Sequence, residues 1–369
     1  MKLTHTDKII WLMGLLLFAA VLVFVSRDAF LYEETVVKVS KVTNRVVLEV
    51  DGIDGGTETY YEQELTAVIL NGENKGETIS LTNTFTSSGV NDERYYKGNQ
   101  LFVDTGKTAQ GGVIIGRKRD FHLAVLIGFF FLLLVGINKW HGVIILFSLI
   151  INITIFVVAL LQYGKGVDLL TTAWILMLLF SVFTLVCAGG FHRKTLSAIV
   201  STLVTTVLCY GIYMVVHNLS ARLPYEMMEY VVNPEDLSEL FLTGILMGGM
   251  GAVMDVSISI SAGVAEILHQ TPDITIKALI SSIREMGYDI MGTMINVLFF
   301  TYISSGIPIA VVKIINGYTM YHLIQFELIF AIIRFLMGAI GIVLAIPVSG
   351  FFAVLFFRGK ELIRRGEKI

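Results

Sequence analysis

Long apolar runs dominate the chain, and their lengths repeat. Runs at about 121–137, 142–163, 169–188, 195–217, 240–268, 289–304 and 325–357 follow one another, and an isolated run covers Ile9 to Val25. A membrane-spanning helix needs about 20 mostly apolar residues, so most of these runs predict spanning helices. A Pro-containing piece at 307–315 is too short to cross. The region from Arg27 to Asp120 reads differently. Val36-Val37-Lys38-Val39 and Val46-Val47-Leu48-Glu49-Val50 are β-branched stretches, and turn signals punctuate what surrounds them: Asp51-Gly52, Gly55-Gly56, Asn71-Gly72, Lys75-Gly76, Ser88-Gly89 and Lys97-Gly98. Short strands at this spacing predict a compact all-β barrel or sandwich.

The expected organisation is a membrane anchor at 1–26, an extracytoplasmic β-domain at 27–120 and a helical membrane domain at 121–369. The anchor could be a cleaved signal peptide. No small-x-small cleavage site follows it, because the exit reads Ser26-Arg27-Asp28-Ala29-Phe30, which favours an uncleaved helix. Between two of the spans, Ile276, Leu279, Ile280, Ile283 and Met286 recur at helical spacing, with Lys277 and Arg284 on the other side. This predicts an amphipathic segment near 274–286 on the inner surface, preferred over a re-entrant helix.

Basic residues in short loops set orientation. Phe191-His192-Arg193-Lys194 is basic, and so is the tail with Arg358, Lys360, Arg364, Arg365 and Lys368. The loop with Glu226, Glu229, Glu235 and Asp236 is acidic. Placing the basic segments inside predicts about eight crossings with both termini cytoplasmic and residues 27–120 outside. Arg117-Lys118-Arg119 then lies outside, which a folded domain tolerates because it translocates largely regardless of its charge.

Composition supports lipid as the solvent. Of 369 residues, 55% are hydrophobic and 15% charged, against about 25% charged in soluble domains. Mean hydropathy is +0.74. A net charge of −3 gives no argument for nucleic acid. The two cysteines, Cys187 and Cys209, lie in apolar runs and cannot staple the β-domain. No zinc motif, phosphate loop or Ser/His/Asp set is visible, so no metal, no cofactor and no enzymatic activity are expected.

Candidate chemistry lies inside the membrane. In the sixth span Gly244, Gly248, Gly251, Asp255, Ser259, Ala262 and Glu266 share one helix face. Small residues let a second backbone come close, which predicts Asp255 deep in a packed seam. The seventh span repeats the pattern with Asp289, Thr293 and Asn296, with Gly292 beside them. The last offers Glu327, Ala331, Arg334, Gly338, Gly341 and Ala345. A buried arginine without an anion is costly, so an ion pair of Arg334 with Asp255 or Asp289 is expected. Asp255, Ser259, Asp289, Thr293, Asn296 and Arg334 are the candidates for a transport or proton path, since intramembrane carboxylates commonly mark such paths; structural ion pairing is the alternative. Glu266 and Glu327, near span ends, are secondary candidates with an interfacial role as the simpler reading. Ser197, Ser201, Thr205 and Cys209 of the fifth span read as helix-packing hydroxyls and thiol.

Gly251-Ala252-Val253-Met254-Asp255-Val256-Ser257-Ile258-Ser259-Ile260-Ser261 with Glu266, and Gly287-Tyr288-Asp289-Ile290-Met291-Gly292-Thr293-Met294-Ile295-Asn296, resemble the signature of the YibE/F-like family of bacterial membrane proteins. Gly190-Phe191-His192-Arg193-Lys194-Thr195 fits it too, as do Gln63-Glu64-Leu65 and Gly72-Glu73-Asn74-Lys75-Gly76. The resemblance spans nearly the whole chain and departs at Tyr288, where many relatives carry a basic residue. It implies a bacterial cytoplasmic-membrane protein and carries no substrate or reaction with it. The stretch from Asp255 to Glu266 is also faintly similar to proton-coupled SecF-like and resistance-nodulation-division transporters.

Three functions compete. A transporter or proton-linked translocation component would use the buried carboxylates on a small solute. A membrane scaffold or sensor would bind an envelope component through the β-domain. An intramembrane aspartyl protease fits poorly, because Gly251-Ala252-Val253-Met254-Asp255 lacks the Gly-x-Gly-Asp pattern. The partners expected are the lipid bilayer and either the solute or the envelope component, with no nucleic acid; a homo-oligomer is compatible with the glycine-lined faces.

Overall fold

A computed structural model describes residues 5–51, 57–89, 92–105, 112–219, 223, 225 and 237–366. The acidic loop residues Glu226, Glu229, Glu235 and Asp236 and the Gly55-Gly56 turn lie outside the described residues. So do the side chains of the basic tail beyond Arg358. The chain divides into two compact units, Met1–Val143 and Ile144–Ile369.

The first unit begins with helix α1 (His5–Val25) and a short turn at Asp28–Leu31. Five strands follow: β1 (Thr35–Asp51), β2 (Thr57–Ile69), β3 (Thr78–Thr86), β4 (Gln100–Asp104) and β5 (Val113–Arg117). They form one antiparallel sheet in the order β3-β2-β1-β4-β5. The sheet curls until β3 and β5 approach each other, so that of the barrel-like or sandwich-like forms expected the domain takes that of a half-barrel. Two strands are also longer than expected. The two β-branched stretches of β1 are a single strand of 17 residues, because no glycine or proline interrupts Thr35 to Asp51. Irregularities between Val39 and Lys41 and between Val46 and Leu48 absorb its twist. Val37, Val39, Leu65, Ala67, Ile79, Leu81 and Leu101 fill the concave side.

Gln63, Asn71 and Lys118 are buried in this unit and each is met by partners, whereas Asp92 Oδ1 is buried without one. Gln63 is fully buried; its amide donates to Asn44 Oδ1 and the Tyr95 carbonyl, both at 2.9 Å, and its oxygen accepts from Tyr95 N at 3.1 Å and Asn83 at 3.2 Å. Asn71 accepts from Val36 N at 2.6 Å and donates to the carbonyls of Tyr32 and Glu34. Lys118, with only 2% of its side chain exposed, bonds Asp28 at 2.6 Å and Asp120 at 3.1 Å. The Tyr32 hydroxyl donates to Asp120 as well. That bond, with burial, holds the Tyr32 phenol far above its ordinary range.

Helix α2 (Asp120–Tyr163) is apolar throughout but not straight. Lys139 adopts φ 53° and ψ −128°. A Cβ on Gly142 would lie 2.5 Å from the Leu134 carbonyl oxygen. Residues eight apart in a straight helix are about 12 Å apart along its axis, so the chain turns back at Lys139. Before that turn, glycines let α1 and α2 close on each other: Phe18 sits on Gly128 and Trp11 on Gly136.

The second unit contains the rest of α2, then α3 (Leu169–Gly189), α4 (Arg193–Leu219), α5 (Leu237–Gln270) and α6 (Ile276–Ile315). A short turn α7 (Met320–His322) and a π-helical stretch at Leu323–Leu328 lead into α8 (Ile329–Gly366). Asp168 caps α3 by accepting from Thr171 N at 2.8 Å, which holds its carboxyl below the usual range. Helices α5 and α8 form the centre; α4 packs on both, α3 on α5 and α6 mainly on α8. Among the described residues, α2 to α6 and the stretch Met320–Arg358 are six helices long and apolar enough to cross a membrane, with Trp11–Val25 as a shorter apolar helix.

The segment expected to lie flat near 274–286 is instead continuous with the span after it and with the piece at 307–315. All belong to α6, 40 residues long with Pro308 inside it. At 1.5 Å per residue it measures about 60 Å, twice the hydrocarbon thickness. Its first turns keep the expected amphipathic division only in part: Leu279 and Ile283 are buried and Lys277 and Arg284 exposed, but Ile276 and Ile280 of the apolar set are exposed too. The glycine between segment and span, Gly287, is a contact point and not a break: a Cβ there would lie 2.7 Å from Ile346.

Candidate functional site

Helix α5 presents two unlike faces. One is packed: Gly249 lies against Gly338, a Cβ on Gly341 would meet Val253 at 3.0 Å and Cys209 at 3.3 Å, and Val256, Ile260 and Val264 are fully buried. Buried hydroxyls join the helices here. Ser349 bonds Ser257 at 3.0 Å and Ser261 bonds Ser197 at 3.3 Å. On α4, Ser201 donates to its own helix at Ser197 and Thr205 is buried without a partner. A small cavity of about 20 Å³ lies along this seam, lined by Thr206, Cys209, Gly249, Val253, Gly338 and Gly341 among others.

The other face carries the candidates. Gly251, Asp255, Ser259 and Glu266 are exposed, and no atom lies within 4 Å of a Cβ placed on Gly251. The packed seam expected around Asp255 is therefore formed by the opposite side of α5, and only its upper glycines, Gly244 and Gly248, touch other helices. The reason is chemical: serines bury cheaply once their hydroxyls pair, whereas a carboxylate does not. On α6, Asp289, Gly292, Thr293 and Asn296 are likewise exposed. Thr293 donates to Ile290 O at 3.0 Å and Asn296 to Gly292 O at 2.7 Å, so their bonds stay within their own helix. Glu266 accepts from Gln270 at 2.7 Å, and Glu327 pairs with Lys313.

Helices α5 and α6 run antiparallel and touch at two glycines. The Tyr302 hydroxyl sits on Gly248, and Met286 sits on Gly263. Interpolating between these contacts places Asp255 level with Met294 and Asp289 level with Ile260. Asp255 thus stands at the middle of α5 and Asp289 about a third of the way along α6, both on faces that the described residues leave open.

Arg334 lies elsewhere. A Cβ on Gly244 would meet its Nε and Nη2 at 3.3 Å, and its guanidinium stands 5.2 Å over the Phe241 ring. Gly244 precedes Asp255 by eleven residues, about 16 Å along the helix. Tyr302, whose hydroxyl meets α5 one turn from Gly244, is thirteen residues from Asp289, about 20 Å. These separations rule out the ion pair expected from the sequence, and among the described residues no carboxylate lies within 4.0 Å of Arg334. Phe241 in turn packs against Tyr213, Tyr225 and Phe330. Sequence reasoning missed Phe241, Tyr302 and the serine pairs, although Ser257 and Ser261 do repeat at one turn of α5. Among the described residues no group of His, Cys, Asp and Glu is placed to hold a metal ion.

A curled β-sheet unit followed by long apolar helices defines the class as a multi-pass helical membrane protein with an N-terminal β-domain. The profile of the YibE/F-like protein family matches residues 126–359, and that of the YibE/F family N-terminal domain matches residues 30–116. The chain belongs to the YibE/F-like family. No curated protein matches it, and no solved structure matches it.

Proposed function

We propose that the chain is an integral protein of the bacterial cytoplasmic membrane that moves a small solute and couples that movement to protons through Asp255 and Asp289. The observation that supports this is the division of labour on α5. Glycine crossings and serine pairs hold the helices, while Asp255 and Asp289 stand on open faces with no ion-pair partner among the described residues. An ionised carboxylate at bilayer depth costs about 2.5–3.5 kcal/mol. A carboxyl group free of an ion pair on an open helix face can take up and release a proton, which is the property a proton carrier needs. No covalent chemistry is part of this reading. The topology proposed with it has eight crossings: α1, the two arms of α2 on either side of Lys139, α3, α4, α5, α6 and α8. Lys139, His141, Arg193 and Lys194 then face the cytoplasm, as short-loop cations do, and residues 27–120 face outward.

The test is proton flux in vesicles reconstituted with the purified chain and loaded with a pH-sensitive dye. Asp255→Asn and Asp289→Asn should each abolish flux while leaving the protein folded in the membrane. A double Asn variant with full flux would end this reading.

A second reading, a scaffold or sensor that binds an envelope component, is favoured by the far end of the β1–β2 ribbon. Val46, Val47 and Leu48 are each more than half exposed there, and they point to both faces of the ribbon. If binding is the function, Val47→Asp with Leu48→Asp should abolish cross-linking to the envelope component in cells while proton flux is absent in every variant.

A further inference from the structure

Arg334 is a half-buried cation of the helix bundle, and among the described residues no carboxylate pairs with it. Its Nε is buried and has no hydrogen-bond partner, and an arginine keeps its proton in any protein environment. Its position is specified, not accidental. Gly244 leaves the guanidinium room to lie against α5, and the Phe241 ring, fully buried, backs it at 5.2 Å. One turn further along α5, about 6 Å, the Tyr302 hydroxyl rests on Gly248 and bonds no described residue. Arg334 and Tyr302 both bring donors here, and among the described residues no carboxylate supplies an acceptor. The two donors thus meet the same face of α5 on adjacent turns, at Gly244 and Gly248.

We propose that Arg334 and Tyr302 bind a small monovalent anion, a halide or a carboxylate the size of formate, between α5, α6 and α8. One guanidinium balances one negative charge, and the apolar shell of Phe241 and its neighbours penalises a second charge. In its functional meaning the inference rests on the transport reading above, where it names the substrate class: an anion carried with protons taken up at Asp255 and Asp289. As a binding site it stands independently.

The test is thermal unfolding of the purified full chain at constant ionic strength in sodium gluconate, titrated with sodium chloride and, separately, with sodium formate. The unfolding temperature should rise and saturate with at least one of the two, which also distinguishes halide from carboxylate. The rise should not appear with sodium sulfate. Arg334→Met should abolish it, and Tyr302→Phe should weaken the half-saturating concentration about tenfold, as loss of a hydrogen bond to a charged group does. No saturable rise with either anion, or an equal rise in Arg334→Met, would overturn the proposal. If Arg334→Met does not fold, Arg334→Lys and Tyr302→Phe decide it: half-saturation unchanged from the natural protein in both overturns the site. Saturable anion binding in a chain that carries no proton flux would retain the site and remove the transport reading. Proton flux that is indifferent to both anions, with no binding, would do the reverse.

Discussion

The two units differ in how their costliest polar groups are met. In the β-domain unit Lys118 has two carboxylates and Gln63 has a partner for each of its four bonds. In the helical unit Arg334 has none, and Asp255 and Asp289 stand unpaired among the described residues. A polar group satisfied on all sides is committed to holding a fold; one left unsatisfied at similar cost is available to something outside the chain. On the proposed reading, the difference separates Lys118 and Gln63, which hold the fold, from Arg334, Asp255 and Asp289, which are left for function.

The contrast can be broken most severely at Lys118. Lys118→Met leaves Asp28 buried and unpaired, and should cost about 3–5 kcal/mol, read as loss of folded protein in size-exclusion chromatography. An unchanged yield and unfolding temperature would remove the distinction. Gln63→Leu should cost about 2–3 kcal/mol by orphaning the Tyr95 and Asn83 groups, measured by thermal unfolding. Within α5 the same logic separates two glycines. A Cβ on Gly249 would lie 3.0 Å from Gly338 Cα, so Gly249→Ala should cost about 1–3 kcal/mol, whereas Gly251→Ala meets open space and should cost nothing. Tyr32→Phe should lose about 1 kcal/mol. Because the folded phenol titrates above its unfolded value, the contribution of Tyr32 is fully present below about pH 10. It is lost as pH rises through the folded value, so the mutant and natural chains should converge in strongly alkaline solution. The smallest expected effect is the most informative. Asp255→Asn and Asp289→Asn should each change stability by less than about 0.5 kcal/mol while abolishing proton flux.

Much of this was legible in the sequence because lipid imposes a strong pattern. The apolar runs located the helices, and the period along α5 correctly grouped Gly244, Gly248, Gly251, Asp255 and Ser259 on one face. The pattern could not say which face packs. Ser257 and Ser261 look as polar as Ser259, yet Ser349 and Ser197 meet the first two and bury them. Arg334 was visible as a costly cation, but the partner was misplaced, since the vertical offset of α5 and α8 depends on the Gly249–Gly338 crossing, which no single helix encodes. In the β-domain, turn residues marked the strands but not their lengths, because Thr43-Asn44-Arg45 carries no break signal and β1 simply runs through it. The continuity of α6 was missed for the same reason: Pro308 reads as an end in isolation, and a helix supported on both sides of a proline carries on.

Helix α6 has a mechanical meaning. It is a rod of about 60 Å seated on α5 at two points, Tyr302 on Gly248 and Met286 on Gly263. These seats are sixteen residues apart on the rod, about 24 Å. A rod on two such bearings resists tilting, since tilt must lift one seat, and α8 keeps it from turning, with Ile346 on Gly287, Leu298 on Gly338 and Ile283 on Gly350. Asp289, Thr293 and Asn296 are therefore carried as one rigid row whose bearing is set from two sides. Bulk at either seat on α5, as in Gly248→Val or Gly263→Val, would displace the whole row from a distance while leaving every charged residue in place.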